Sequence, residues 1–207
     1  MNTQQSPWHD DRACIETYLQ TMVAMCSDLK ESHLNYFRPK LHVSRYKAKT
    51  NLFEQGEVHQ KVGFVLEGLV RSYYLNEKGD EISSWFISEF EFVTDYPAFL
   101  TGKPSYFIFE ALEPVTVVWL PRDAVFQAYA DFHAFEKYGR LIAEGVILMQ
   151  QARIESFLFK SAKQRYLEFD STCPNVIHRI SLAHLASYIG IERQSLTRIR
   201  KELKEQE

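Results

Sequence analysis

Cysteine is scarce in these 207 residues: Cys14, Cys26 and Cys173 are an odd number, and no two share CxxC spacing. That excludes a disulfide framework, a zinc site or an iron–sulfur cluster held by cysteines, and it predicts reduced, structural thiols. Long apolar runs are also missing. No stretch approaches the roughly 20 residues that cross a bilayer, and the amino-terminal MNTQQSPWHDDR has neither the basic nor the apolar part of a signal peptide. The expectation is a cytoplasmic protein with no membrane partner. Between Leu41 and Pro121 the only histidines, His42 and His59, stand alone, without the clustered ligands of a metal-dependent jelly-roll enzyme. P-loop, GxGxxG and GxSxG signatures are absent too. The expectation is therefore no metal, no cofactor, no catalytic residue and no enzyme.

What is present is an ordinary soluble composition, 45% hydrophobic and 25% charged, with a formal net charge of −3. The charge is segregated. From Arg153 onward lysine and arginine outnumber aspartate and glutamate, so an acidic body carries a basic tail region that can meet phosphates despite the overall sign.

Apolar residues recur at helical intervals from Asp10 to about Leu29, and a second short helix around His33 to Phe37 must end near Arg38, because Pro39 disfavours helical geometry before it. From about Leu41 to Pro121 the texture changes to short runs of Val, Ile, Phe and Tyr punctuated by glycine and proline, which predicts an antiparallel β-roll or jelly roll. Two hairpins are expected: FVLEGLVRSYY turning at Glu67 and Gly68, and SYYLNEKGDEISSWFI turning through Asn76 to Asp80 with glycine at a left-handed position.

From about Pro121 the pattern is helical to about Phe159. Leu141, Gly145, Leu148, Ala152 and Phe159 trace one stripe at heptad-like spacing, and further apolar residues lie elsewhere on the helix. A helix apolar on more than one side needs more than one partner. The expectation is the β-roll on one side and a second copy of the chain on the other, with Gly145 allowing close backbone approach; a wholly intramolecular helix is the alternative. Ser161 then opens S-A-K-Q, a capping box. The predicted division is residues 1–160, a roll domain whose dimerisation helix spans about 122–160, and residues 161–207, a small mostly helical domain. Val176 to Arg179 is read as a short strand. The fold class is α+β.

The last stretch, Ile180 to Leu203, reads as two short helices around a glycine turn. Ser181 caps the first, Leu182, Leu185 and Ala186 form its apolar side, and Gly190 reverses the chain. In the second, Leu196, Ile199 and Leu203 share one face, while Arg193, Gln194, Thr197, Arg198, Lys201 and Lys204 spread over the other. A helix-turn-helix that lays a basic helix into the major groove needs this arrangement. A solvated amphipathic terminal helix is the bland alternative.

The order of these elements, with the motifs SAKQRY and LASYIGIERQSLTRIRKEL, resembles the Crp/Fnr superfamily of bacterial transcription regulators over nearly the whole chain from about Lys30. The resemblance implies a two-fold dimer on double-stranded DNA, with RNA polymerase as a further partner. Arg193, Gln194 and Arg198 would touch base edges and Ser195, Thr197 and Lys201 would lie at phosphates, in keeping with arginine on guanine and glutamine on adenine. Relatives that bind cyclic AMP carry Gly-Glu and, about ten residues later, Arg-Ser or Arg-Thr. Here Thr94-Asp95 and Pro104-Ser105 stand in those places. Without the arginine, and with a proline that has no N–H, no response to cyclic AMP is expected. Thr94, Asp95, Pro104 and Ser105 remain the candidate effector pocket, near Tyr73, Trp85 and Tyr106, with the effector left open. The resemblance also implies a β wing after the reading helix, for which the residues up to Glu207 leave little room, and Glu192 stands where a Ser or Thr cap is usual. Both features predict modest affinity per subunit. A small-molecule-responsive regulator and a ligand-binding or enzymatic jelly roll are the competing readings.

Overall fold

A computed structural model describes residues 7–205. The amino-terminal MNTQQS of the stretch judged against signal peptides, and the last two residues, lie outside the described residues. Helices α1 (Asp11–Met25) and α2 (Glu31–Phe37) precede strands β1 (His42–Tyr46), β2 (Asn51–Phe53), β3 (Lys61–Glu67), β4 (Val70–Leu75), β5 (Glu81–Ile87) and β6 (Phe92–Val93). Helix α3 (Tyr96–Thr101), strands β7 (Ile108–Ala111) and β8 (Val115–Pro121), and helices α4 (Arg122–Asp131) and α5 (His133–Phe159) follow. The chain then runs through α6 (Ala162–Thr172), α7 (Pro174–Ile177), α8 (Leu182–Ile189) and α9 (Arg193–Lys204). Among the described residues no helix is long and apolar enough to cross a membrane.

The expected antiparallel roll is present as two four-stranded sheets, ordered β1-β8-β3-β6 and β2-β7-β4-β5. Between them lie Leu52, Phe53, Val65, Val70, Ile87, Val93, Phe109, Val117 and Trp119. Strand β8 is apolar except at Thr116 and is buried from Val115 to Leu120, because both of its faces are covered. Val117 and Trp119 point into the roll, while Val118 and Leu120 meet a helical layer in which Tyr18, Leu19, Met22, Phe37, Phe135 and Tyr138 are buried. The roll is packed solid at its centre. Trp119 is fully buried, and a Cβ on Gly63 would stand 2.8 Å from its ring and closer still to Val117 and Val93.

Three expectations change here. The hairpin at Glu67 and Gly68 does not exist, because β3 and β4 lie in opposite sheets. Gly68 adopts φ +96, where a Cβ would stand 2.2 Å from the Pro114 carbonyl oxygen, and the register of β3 slips between Val65 and Glu67, so the chain leaves one sheet for the other. The second hairpin is as expected: β4 pairs with β5, and Gly79 sits at φ +83 in the Asn76–Asp80 turn. The helical stretch after Pro121 is two helices, since Phe132 is extended (φ −142) and packs its ring on Tyr36, His33 and Phe135. Leu141, expected on the dimer stripe, packs partly buried against the helical core. Val176–Arg179 is no strand either: Pro174, its φ already fixed at a helical value, starts the single turn α7.

Candidate nucleic-acid interface

The capping signals of the terminal region fold as their chemistry dictates. Ser161 accepts from the Gln164 N–H while the Gln164 side chain accepts from the Ser161 N–H at 2.8 Å, closing the expected box at the start of α6. Ser181 accepts from the His184 N–H at 3.1 Å at the start of α8. Such a cap contributes about 1 kcal/mol. At the other end Gly190 takes the left-handed conformation (φ +78), and the Gly190 and Ile191 N–H groups both reach the Ala186 carbonyl. The chain is thereby turned into α9. Leu196 and Ile199 are buried against Leu185, Ala186 and Ile189, with Leu203 packed beside them.

The opposite face of α9 is open. Arg193, Gln194, Thr197, Arg198 and Lys201 are exposed and Ser195 is half-buried. Among the described residues, no side-chain partner holds the Arg193 guanidinium or the Gln194 amide. Arg198 and Lys201 have only Glu202 and Glu205 at 3.9 and 3.8 Å, exposed i,i+4 pairs that bind weakly in water. Thr197 turns its hydroxyl back to the Arg193 carbonyl at 3.0 Å. Glu192 caps the helix without a side-chain hydrogen bond. The result is a row of long donors along one helix face, exposed and either weakly paired or, among the described residues, without a side-chain partner.

Three other arginines of the tail region are not available in this way, which sequence alone did not reveal. Arg179 is clasped by Glu89 and Glu113 of the roll, and those two hydrogen-bonded carboxylates raise its pKa. Arg153 and Arg165 donate to the carbonyls of Tyr188 and Ile189. Burial of Arg153 lowers its pKa, because few waters solvate the charge. Only tertiary packing distinguishes these arginines from those of α9.

The helix-turn-helix does not hang free of the roll. Leu69 and Phe86 of the roll share a core with Tyr166, Phe169, Leu185 and Ile189. Arg71 on β4, 1% exposed, donates to Ser83 at 2.9 Å, Glu81 at 2.6 Å and the His184 Nε2 at 3.1 Å. A guanidinium cannot accept, so His184 carries its proton on Nδ1. Burial, and then the Arg71 charge, depress the His184 pKa. Ser187 and Ser83 complete the seam through a hydroxyl–hydroxyl bond of 2.9 Å.

The candidate effector residues come together but face one another. Ser105 donates to Asp95 at 2.7 Å, and the second Asp95 oxygen accepts from the Ala98 N–H as the cap of α3. His59, fully buried and stacked on Phe53 at 3.8 Å, takes the Asp95 N–H and the Thr94 hydroxyl at its Nδ1. Pro104 lies at an isolated bridge to Val58. The neighbouring aromatics disperse: Tyr73 is buried, Trp85 turns to Tyr188, and Tyr106 is 78% exposed. A shallow cavity of about 210 Å³ lies instead in the terminal domain, between Asp170, His178, Ile180 and Arg200.

On the stripe expected to pair with a second copy, Gly145, Leu148, Ala152 and Phe159 are exposed, Leu148 and Phe159 at 71% and 77%, and nothing stands within 4 Å of a Cβ built on Gly145. Ile147, Ile154 and Leu158 expose a second strip further round α5.

With this geometry in view, residues 43–132 match the family model of the cyclic nucleotide-binding domain. The solved structure of FixK2 from Bradyrhizobium japonicum is 18% identical, covers 80% of this chain and 85% of that one, and gives a TM-score of 0.69. The c-di-GMP responsive global regulator CLP of Xanthomonas campestris is 19% identical over 86% and 93%, with a TM-score of 0.64. The sensor domain of the transcriptional regulator DNR from Pseudomonas aeruginosa is 15% identical over 70% and 93%, with a TM-score of 0.53. Comparison with curated proteins gave no match. At these identities the likeness is one of fold, and at that level the resemblance to the Crp/Fnr superfamily is borne out.

Proposed function

We propose that this chain, which carries a cyclic nucleotide-binding domain on the fold of the Crp/Fnr regulators, is a cytoplasmic transcription regulator without enzymatic activity that binds a two-fold symmetric DNA site as a homodimer. The observation that carries the reading is the open basic face of α9, where among the described residues Arg193 and Gln194 have no side-chain partner and Arg198 has only an exposed, weak pair with Glu202. In this reading Arg193, Gln194 and Arg198 contact bases, Ser195, Thr197 and Lys201 contact phosphates, and the stripe from Gly145 to Phe159 meets its copy. The exposed Leu148 and Phe159 support that pairing, since a helix leaves such residues in water at a cost that association removes. RNA polymerase is the further partner expected of a regulator.

Cyclic AMP is not the signal in this reading. Asp95 already places a carboxylate on the Ser105 hydroxyl and the α3 N–H group, and a cyclic phosphate brought there meets like charge and no arginine. The second reading, a regulator responsive to a cyclic nucleotide, is favoured by the domain match over residues 43–132. Two measurements on the purified chain decide. Gel shift against a pool of palindromic duplexes is expected to yield a salt-sensitive complex, and its failure removes the DNA reading. Millimolar cyclic AMP or GMP is expected to leave the melting temperature unchanged, and a rise restores the second reading.

A further inference from the structure

The last turns of α5 grip the hinge of the helix-turn-helix, and the grip is built from residues that neither read DNA nor line the dimer stripe. Phe157 is the centre of it. Its ring edge lies where a Cβ on Gly190 would be, 2.8 Å away, so the glycine that turns α8 into α9 also seats this ring. Arg153 lies 4.4 Å over one side of the Phe157 ring and 3.6 Å over Tyr188, and it donates to the Tyr188 carbonyl. Arg165 lies 4.9 Å from the same ring and donates to the Ile189 carbonyl at 2.9 Å and the Lys160 carbonyl at 2.7 Å. Two guanidinium groups thus satisfy consecutive free carbonyls at the negative end of α8, where positive charge is favoured. Beneath them Ser156 donates to Glu168 at 2.7 Å and Lys160 also binds Glu168, joining α5 to α6.

We propose that Arg153 and Arg165, with Phe157 between them, are positioning residues that set which half-site spacing the dimer accepts. The inference rests on the DNA reading above. If two copies pair along α5, the place of each reading helix on the duplex follows from the angle between α5 and its own α8–α9 pair. That angle is held by planar forks whose donors fit these carbonyls in one orientation. Half-sites sit about one helical turn, roughly 34–36 Å, apart, and one base pair is about 3.4 Å of axis, so a head that swings by a few ångströms matches a neighbouring spacing. A rigid grip predicts one favoured spacing. A loosened grip predicts several, with the bases read at each half-site unchanged, because no residue of α9 is altered.

The test uses the full chain and a duplex set in which two copies of its selected half-site are separated by intervals one base pair apart. Wild type is expected to prefer one interval over its neighbours by about tenfold or more, comparable to the cost of a mismatched base pair. Arg165→Ala is expected to flatten this to within about twofold while single-base preferences within the half-site stay as in wild type. Arg153→Lys and Arg165→Lys, which keep charge and length but lose the fork and the ring stacking, are expected to flatten it in part, and they serve if the alanine variant fails to fold. Retention of the wild-type spacing preference in the lysine variants, or an equal loss at every spacing, overturns the proposal while leaving the DNA reading intact. Failure of wild type to bind any duplex overturns the DNA reading itself.

Discussion

The polar cluster of the roll around Asp95 and the outer face of α9 hold their polar side chains in opposite states. In the roll, Asp95, Ser105, Thr94 and His59 answer one another, and Trp119 and Phe53 fill the remaining space. On α9, the Arg193 guanidinium and the Gln194 amide have no side-chain partner among the described residues. An enclosed network is costly to open, because each buried group that loses its partner costs about 1–3 kcal/mol, whereas an open row of donors costs nothing to expose and gains on meeting acceptors. The roll is built to stay as it is, and in the proposed reading the open face of α9 is built to be covered.

The largest test of that contrast falls on the helix between the two. Leu148→Asp puts a charge on the exposed stripe of α5, and loss of the second reading head is expected to weaken binding to a two-fold site by about a hundredfold or more. Sedimentation of the variant should show a single chain, and an unchanged dimer argues against this face. In the roll, Trp119→Ala removes a fully buried ring and is expected to lower unfolding stability by about 3–5 kcal/mol in a denaturant titration. On α9 the pattern reverses: Arg198→Ala should move unfolding stability by less than about 0.5 kcal/mol yet cost about 1–3 kcal/mol of DNA affinity and relax one base position. Lys201→Ala should weaken all duplexes alike. Equal behaviour of the two variants contradicts the division between base and phosphate contacts.

The smallest expected effect lies at the seam joining the regions. His184 is neutral in the fold, its pKa lowered from the ordinary 6.5 by burial and by Arg71. The unfolded chain therefore binds the proton more readily. Stability from this group is fully present above about 6.5 and is lost as pH falls below that value toward the lower value of the folded state. His59, lowered chiefly by burial, acts in the same direction. Melting curves between about pH 7 and pH 5 are expected to shift downward with acid, and less so in His184→Gln. An identical shift in the variant removes His184 as a cause.

Local chemistry made much of this legible in advance. The Ser161–Gln164 box, the Ser181 cap, the Gly190 turn and the Asn76–Asp80 hairpin each rest on residues a few positions apart. What escaped depends on distant partners. Gly68 looks like a hairpin glycine until Pro114 is seen beneath it, and the sheet each strand joins is settled by β7 and β8, far along the chain. The break at Phe132 is made by aromatic neighbours from α2. Arginine carries the same lesson. Arg153, Arg165 and Arg179 read as part of one basic tail with Arg193 and Arg198, and only their carbonyl and carboxylate partners place them inside the fold.

The central claim is that α9 is left open in order to read DNA, and salt tests it most directly. Anisotropy titrations of the full chain between about 50 and 200 mM salt, on a selected palindromic duplex and on its scrambled counterpart, should show affinity falling steeply with salt on both. The selected duplex should bind about a thousandfold or more tightly than the scrambled one throughout. Binding that is insensitive to salt, or equal for the two duplexes, contradicts the account.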